Sequence, residues 1–264
     1  MKLYICIVSH GHAGLILESL HQLLGIDSIT VCVVDNLGEV SLREYCEEHS
    51  VFYVPPVDAP CGFGSNNNRG FRFLAECVTI SNDDYFICCN PDVTISREML
   101  LLLHEQLSLY NPSLASINLF RNSEMSELDP NIRFFPRVSD YVGRLLRIGR
   151  GSQVQRAGYV TPVYCDWAAG SFLILKPALY TALHGFDERY FMYFEDVDLC
   201  LRARRGESVR LLYLPKIKAI HTGAFQNRRL FSKHFSWYFN SLLRYLFRFY
   251  FLGTVPKRRI EELQ

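Results

Sequence analysis

The sequence predicts an α/β fold in which a central, mostly parallel sheet is flanked by helices, with an amphipathic helical tail at the C-terminus. Three observations predict it. Short apolar runs alternate with helical stretches from Leu3 to Leu109, the pattern of βαβ units. Polar residues gather where those runs end, at Ser9, Asp35 and Asn90-Pro91-Asp92. Hydrophobic residues make up 49% of the 264, enough for one large domain with a well-buried core.

Leu3 to Val8 is wholly apolar and rich in β-formers, as a strand covered on both faces must be. Ala13 to Leu24 places Ile16, Leu20, Leu23 and Leu24 at helical spacing. Ile29 to Val34 reads as a second strand, Val51 to Val54 as a third and Tyr85 to Cys89 as a fourth. A helix from Ser96 to Leu109 follows, with Ser96 and Glu98 supplying its polar start. Asn122 to Gly158 is rich in Arg, Gly and Ser and weakly periodic, so a long surface excursion is expected there, a mobile loop over the site. Cys165 to Lys176 returns to apolar character around Gly170-Ser171, and Val209 to Leu214 is strand-like. The expected division is a main domain over 1–224 and a basic, aromatic helical tail over 225–264.

Net charge is +1, but its distribution is uneven: after Glu207 no acidic residue appears until Glu261, while eleven Lys and Arg lie between. A balanced body with a cationic end points to an anionic partner. The nine cysteines are odd in number, show no Cys-x-x-Cys pair, and several sit in strand-like runs, so reduced, buried thiols in a cytoplasmic protein are expected. The N-terminal apolar run stops at Val8, too early for a signal peptide.

Ligands of parallel sheets collect at the carboxyl ends of strands. Ser9, Asp35 and Asp92 all fall there. A carboxylate at Asp35 would accept a hydrogen bond from the imide N–H of a uracil or thymine ring; the same residue type also makes ordinary turns. Gly62-Phe63-Gly64-Ser65-Asn66-Asn67-Asn68-Arg69-Gly70 reads as a loop whose glycines permit close backbone approach. Its Asn67 offers amide groups, and Arg69 offers a fixed cation suited to phosphate. Asp92 presents a hard oxygen for Mg²⁺ or Mn²⁺, which complete their shells with substrate phosphate and water. His221 is a further candidate ligand.

The densest signal is Phe186 to Leu199, with five carboxylates in the twelve positions from Asp187 to Asp198 and aromatic residues between them. Crowded, desolvated carboxylates have raised pKa values, which is how a general base is prepared. The same run also reads as a helix start: Glu195, Asp196 and Asp198 lie at the front, and Arg202, Arg204 and Arg205 lie in the last turn before Gly206.

Ile7-Val8-Ser9, Val33-Val34-Asp35-Asn36, Gly62 to Gly70, Asn90-Pro91-Asp92, Ala169-Gly170-Ser171 and the Phe186–Leu199 block occur in one order. Together they resemble the family 2 inverting glycosyltransferases of GT-A fold, and most of all the bacterial rhamnosyltransferases of O-antigen and other cell-surface polysaccharides. The resemblance implies a nucleoside held by Ser9 and Asp35, and a nucleotide-sugar pocket lined by Gly62, Gly64, Asn67, Arg69 and Asn90. It implies a metal at Asp92 and His221, and Asp196 as catalytic base with Glu195 beside it. Asn90 stands where the family carries the first Asp of its metal motif, which weakens intrinsic metal affinity. The Gln/Arg-x-x-Arg-Trp motif of processive members is missing, which favours addition of one sugar per encounter. The implied donor is a dTDP- or UDP-sugar, with dTDP-rhamnose the best match. The implied acceptor is a polyprenyl-diphosphate-linked sugar such as GlcNAc.

In the tail, Lys233, Trp237, Asn240, Ser241, Arg244 and Arg248 recur at three- and four-residue steps, a polar stripe on an otherwise apolar helix. Its charges forbid a membrane span. The expected partner is an anionic membrane surface, with the helix lying on the inner face of the bacterial cell membrane and no nucleic acid involved. Two other readings use the same residues. A sugar-phosphate nucleotidyltransferase would need a cationic Gly-rich loop after the first strand, where His10-Gly11-His12 stands instead. A non-catalytic membrane-associated nucleotide-sugar-binding module would not need the acidic block.

Overall fold

Every residue of the run Leu3–Ser9 (β1) is buried, because helices cover the sheet on both faces. This computed structural model describes residues 1–146, 151–156, 158–223 and 233–263. After β1 come α1 (Ala13–Leu20), β2 (Ile29–Asp35), α2 (Val40–Glu48), β3 (Phe52–Val54), α3 (Phe63–Cys77) and β4 (Tyr85–Cys89). The middle of the chain forms β5 (Val93–Thr94), α4 (Arg97–Tyr110), β6 (Leu114–Phe120), β7 (Ile132–Arg133), α5 (Val138–Leu145), β8 (Val163–Cys165), β9 (Trp167–Ala168) and β10 (Phe172–Leu175). It ends with α6 (Pro177–Ala182), α7 (Glu195–Gly206), β11 (Leu211–His221), α8 (Lys233–Phe251) and β12 (Glu261–Glu262).

The main sheet runs β12-β8-β11-β6-β10-β4-β1-β2-β3, with β5 paired to β11. β1, β2, β3 and β4 are parallel to one another, and β6 is parallel to β11. β10 is inserted antiparallel between β4 and β6. It therefore starts at the edge where its neighbours end. Ser9 is in register with Asp35, Cys89 with Phe172, and His221 with Val93. The ends of β1, β2, β4 and β11 and the start of β10 thus form one edge. Successive β1 residues serve opposite cores: Leu3, Ile5 and Ile7 meet α1, α2 and α4, while Tyr4, Cys6 and Val8 face the side of α3, α6, α7 and α8.

Three expectations are corrected. The Gly62–Gly70 segment is no loop, because Gly62 precedes α3 and the rest of the segment lies within it, with Asn66, Asn67 and Asn68 buried. The 122–158 excursion is packed where it is described: it carries β7 and α5, and Asp129, Asn131 and Arg156 are buried. Arg156 donates to the Asn131 side chain and the Asp129 carbonyl, and the segment is held to β6 by Asn131 donating to the Ile117 carbonyl and Asp129 N–H donating to the Leu119 carbonyl.

The boundary expected at residue 225 lies outside the described residues, as does the side chain of Lys233. Residues 233–263 form no separate tail. Tyr245 and Phe249 of α8 are fully buried, and β12 extends the main sheet. The polar stripe touches the protein at four of its positions, exposed Arg244 among them. Trp237 packs on Phe191 with ring centroids 4.5 Å apart, and Ser241 donates to the Met192 carbonyl. Arg244 lies over the Tyr190 ring, and Arg248 bridges Asp187 and Asp198 at 3.0 and 2.9 Å. Much of the cationic end is likewise engaged inside the fold, with Arg258 on Asp140 and both Arg210 and Arg259 on Glu261.

Seven of the nine cysteines are buried and all are free thiols. Among the described residues no helix is long and apolar enough to cross a membrane.

Asp198 is fully buried, so removing one of its cations strands part of its charge. Arg248→Met is expected to destabilise the protein by about 3 kcal/mol, the low end of the range for breaking a buried pair because Arg202 remains. Chemical denaturation checks it, and a change under about 0.5 kcal/mol would mean the bridge is marginal.

Candidate active site

The acidic block divides by partner. Asp187 binds Arg189 at 2.6 Å as well as Arg248. Burial acts to raise its pKa, but those guanidinium contacts overcome it and hold the carboxyl at about 2. Glu188 accepts from Asn68 and Ser65 of α3 and pairs with Arg72. Asp198 sits between Arg202 and Arg248 and accepts from the Tyr190 hydroxyl. These three carboxylates fasten the segment to α3 and α8.

Glu195 and Asp196 are left over. Gly170, in the turn before β10, donates its N–H to Asp196 Oδ2 at 3.0 Å, and Val197 N–H reaches Oδ1 at 2.8 Å. Among the described residues, buried Glu195 Oε2 has no hydrogen-bond partner. Burial, then the charge of Asp196, pushes the Glu195 carboxyl well above the usual carboxylate range. Burial raises Asp196 too, against the two N–H groups and the positive charge of Arg133 on β7. Asp196 has the two N–H donors and Glu195 Oε2 has none, so of the two Asp196 is the more readily ionised.

The backbone that aims the pair is strained. Tyr193 and Phe194, immediately before α7, have φ of 71° and 66°, a region that costs non-glycine residues on the order of 1–3 kcal/mol each. Packing from α8 holds them there: Phe194 stacks on Tyr245 at 5.4 Å and meets Tyr238 at 5.4 Å, while Tyr193 meets Tyr238 at 5.7 Å.

Gly62 and Gly64 serve this loop and not an open pocket. A Cβ on Gly62 would lie 2.0 Å from the Phe191 carbonyl oxygen, and one on Gly64 would lie 2.7 Å from Phe186 Cβ. Asn68 closes the joint with both ends of its amide, donating to the Phe186 carbonyl and accepting from Phe186 N–H and the Tyr180 hydroxyl. Arg69 is turned toward Asn66 and the Pro55 carbonyl. Asn67 donates to Phe63, and its buried Oδ1 has no partner; buried Ser171 Oγ is likewise unpartnered.

At the other end of the edge, Asp35 departs from expectation. It is fully buried, and its oxygens accept from Leu37, Gly38 and Glu39 N–H and from the Tyr53 hydroxyl. It holds the β2–α2 turn and presents no open carboxylate. Ser9 donates to Glu39, whose other oxygen accepts from Ala13 N–H at the start of α1. Glu39 and Tyr53 were missed because neither lies in a motif; only register brings them to Ser9 and Asp35.

Asn90 ends β4, bonded through its N–H to the Ser171 carbonyl, with Asp92 beyond it. His221 lies between Asp92, 3.4 Å from Nε2, and Asp129, 3.2 Å from Nδ1. Burial would lower its pKa, but the bonds to Asp129 and Asp92 prevail and raise it to about 9. Asp129 is the partner that sequence reasoning missed. A cation fits here on donor chemistry. Asp129 can fix the proton on Nδ1, which turns the Nε2 lone pair toward the Asp92 oxygen. Among the described residues no three His, Cys, Asp or Glu converge on one point. Two protein donors is the usual complement for Mg²⁺ bound with substrate phosphate.

No family model matches the chain. It is similar to the rhamnosyltransferase WbbL of Escherichia coli (strain K12), 34% identical over 247 residues that cover 93% of this chain and 92% of that protein. It is also similar to the N-acetylglucosaminyl-diphospho-decaprenol L-rhamnosyltransferase of Mycobacterium tuberculosis (strain ATCC 25618 / H37Rv), 28% identical over 66% of this chain and 60% of that one. Among solved structures, the mannosyltransferase PcManGT from Pyrobaculum calidifontis, in complex with GDP-Man and Mn²⁺, shares the fold. Its TM-score is 0.54 at 16% identity, covering 86% of this chain and 58% of that one.

The Asp92–His221–Asp129 arrangement carries a pH signature in chelated protein. A histidine raised from 6.5 to about 9 contributes stability that is complete below pH 6.5 and is lost as pH rises through 9. In Asp129→Asn the imidazole is expected to titrate closer to 6.5, read by NMR of the ring nitrogens. An unchanged titration would show that Asp129 does not hold the proton.

Proposed function

The chain belongs to the rhamnosyltransferase-like family 2 glycosyltransferases, and from that membership we propose that it transfers L-rhamnose from dTDP-rhamnose, with inversion, onto a GlcNAc-diphospho-polyprenol acceptor in O-antigen synthesis. The activity for which the mycobacterial relative is named supports the acceptor class, and the nucleotide-sugar complex of a structural neighbour supports the donor class. Uracil and thymine share an imide edge, so the residues themselves favour dTDP no more than UDP.

The observation that carries the reading is the division of labour at the acidic pair. Asp196 accepts N–H bonds from Gly170 and Val197 that favour its ionised form, while the buried Glu195 beside it has no such donor on Oε2. In one displacement the acceptor hydroxyl oxygen bonds to the sugar's anomeric carbon as its proton passes to Asp196. The bond from that carbon to the diphosphate oxygen breaks, and its electron pair leaves with the nucleotide. One base and one step invert the anomeric centre. A Mg²⁺ or Mn²⁺ ion at Asp92 and His221 would offset the charge on the departing diphosphate.

With a lipid-linked acceptor the reaction would take place at a membrane, and the face we propose is the cytoplasmic one. The reading is supported by exposed Phe239, Phe247 and Phe251 on α8. Flotation with anionic vesicles should weaken in Phe239→Ser/Phe251→Ser, and unchanged flotation would refute the membrane contact.

Transfer from dTDP-rhamnose and UDP-sugars to short polyprenyl-diphosphate GlcNAc analogues tests the function directly. Asp196→Asn is expected to lose roughly 10²–10⁴-fold in kcat with donor affinity retained. Glu195→Gln, which keeps a neutral group there, should lose far less. Full turnover by Asp196→Asn would move the base elsewhere.

A further inference from the structure

The outer side of α8 is inverted for a helix packed on a soluble domain. Phe235, Phe239, Leu243, Phe247 and Phe251 recur every four residues and all are exposed, forming an apolar row about 24 Å long. Beside the row, between α8 and the acidic loop, lies an open groove of about 520 Å³. Arg189 and Arg244 flank it, the stacked Phe191 and Trp237 line it, and Leu243 and Phe247 belong to both groove and row.

The charge around the groove is unbalanced. Among the described residues the groove's two charged lining side chains are both guanidiniums, Arg189 and Arg244, and no carboxylate lines it; Arg189 is paired with Asp187 at 2.6 Å. Among the described residues Arg244 forms no ion pair, its guanidinium lying 5.7 Å from the Tyr190 ring centroid. Excess fixed cations that open onto water call for an anion, and guanidinium pairs suit phosphate oxygens. An anion that also needs a long apolar row leading away from it is a phosphorylated lipid. The volume falls within the roughly 300–1,000 Å³ of ligand sites.

The groove also adjoins the chemistry. The Phe191 carbonyl accepts the Phe63 N–H at 3.2 Å. Phe63 packs against Gly170, where an added Cβ would lie 2.7 Å from its ring, and Gly170 donates to Asp196. One layer of residues separates the groove wall from the base.

We propose that this groove seats the diphosphate and first isoprene units of the acceptor lipid, with Arg189 and Arg244 on the phosphates and the Phe235–Phe251 row carrying the chain toward the bilayer. The proposal rests on the reading of the acceptor as lipid-linked and supplies the residues that reading lacks. It also gives α8 two tasks: its inner face holds the base, and its outer face brings in the molecule to be deprotonated.

The test uses the full chain and farnesyl diphosphate as probe, with binding read by Trp237 fluorescence and calorimetry. Arg244→Gln is expected to weaken binding roughly tenfold to a hundredfold, the loss of one charged hydrogen-bonding partner. Phe247→Ser should weaken it with the diphosphate contacts intact, and inorganic diphosphate and farnesol should each bind more weakly than farnesyl diphosphate. Melting midpoint and donor affinity confirm that each variant is folded. Wild-type affinity in Arg244→Gln, or inorganic diphosphate binding as tightly as the lipid, overturns the proposal. Acceptor kinetics separate it from the parent reading. If the wild type glycosylates GlcNAc-diphospholipid and both variants keep its KM, the groove is wrong and the function stands. If farnesyl diphosphate binds here but no lipid-linked sugar is used, the groove stands and the acceptor assignment falls.

Discussion

A single guanidinium holds both ends of the acidic segment that carries the proposed base. Arg248 reaches Asp187 at the start of the acidic run and Asp198 in the first turn of α7, so everything between them is closed into a loop of fixed span. Tyr193 and Phe194 lie within that span in a backbone region their side chains disfavour, and aromatic packing from α8 helps to keep them there. The direction in which Asp196 points is therefore a consequence of how a helix nearly fifty residues further along the chain is docked.

This arrangement explains why the segment carries so many acids when the chemistry needs one. Asp187, Glu188 and Asp198 spend their charge on Arg and Asn side chains and shape the loop. Glu195 and Asp196 are denied such partners, and burial raises the pKa of both. Structural and chemical carboxylates differ in what faces them, not in type. The same holds along the sheet edge: Asp35 is consumed by its turn, while Asp92 meets an imidazole that a second carboxylate orients.

The inner and outer sides of α8 are coupled by the same geometry. Its inward polar residues, Ser241 and Arg248, grip the loop through the Met192 carbonyl and the two aspartates. With those polar groups turned in, the outward positions at four-residue steps are aromatic or aliphatic. A helix that docks through charge and exposes apolar side chains suits a protein that works against lipid.

Much of the fold was legible because buried strands leave an unambiguous mark. β1, β2 and β4 are covered on both faces, so their apolar runs name them, and the polar residues that end them mark the functional edge. The dense acid block with its following Arg residues likewise located α7 and the pair at 195 and 196. The Gly62–Gly70 segment misled because glycine and asparagine usually signal turns; here the glycines make room for Phe191 and Phe186, and that requirement exists only once the two segments meet. The tail misled because a polar stripe on an aromatic helix reads as the wet face unless its partners are known, and those partners lie some fifty residues away. By itself the sequence determined the order of elements, the edge and the stock of acids, since these follow from local apolarity and spacing. Which acid is paired, which turn is strained and which face of α8 meets water were decided by tertiary structure alone, because charge and burial depend on neighbours that only folding brings together.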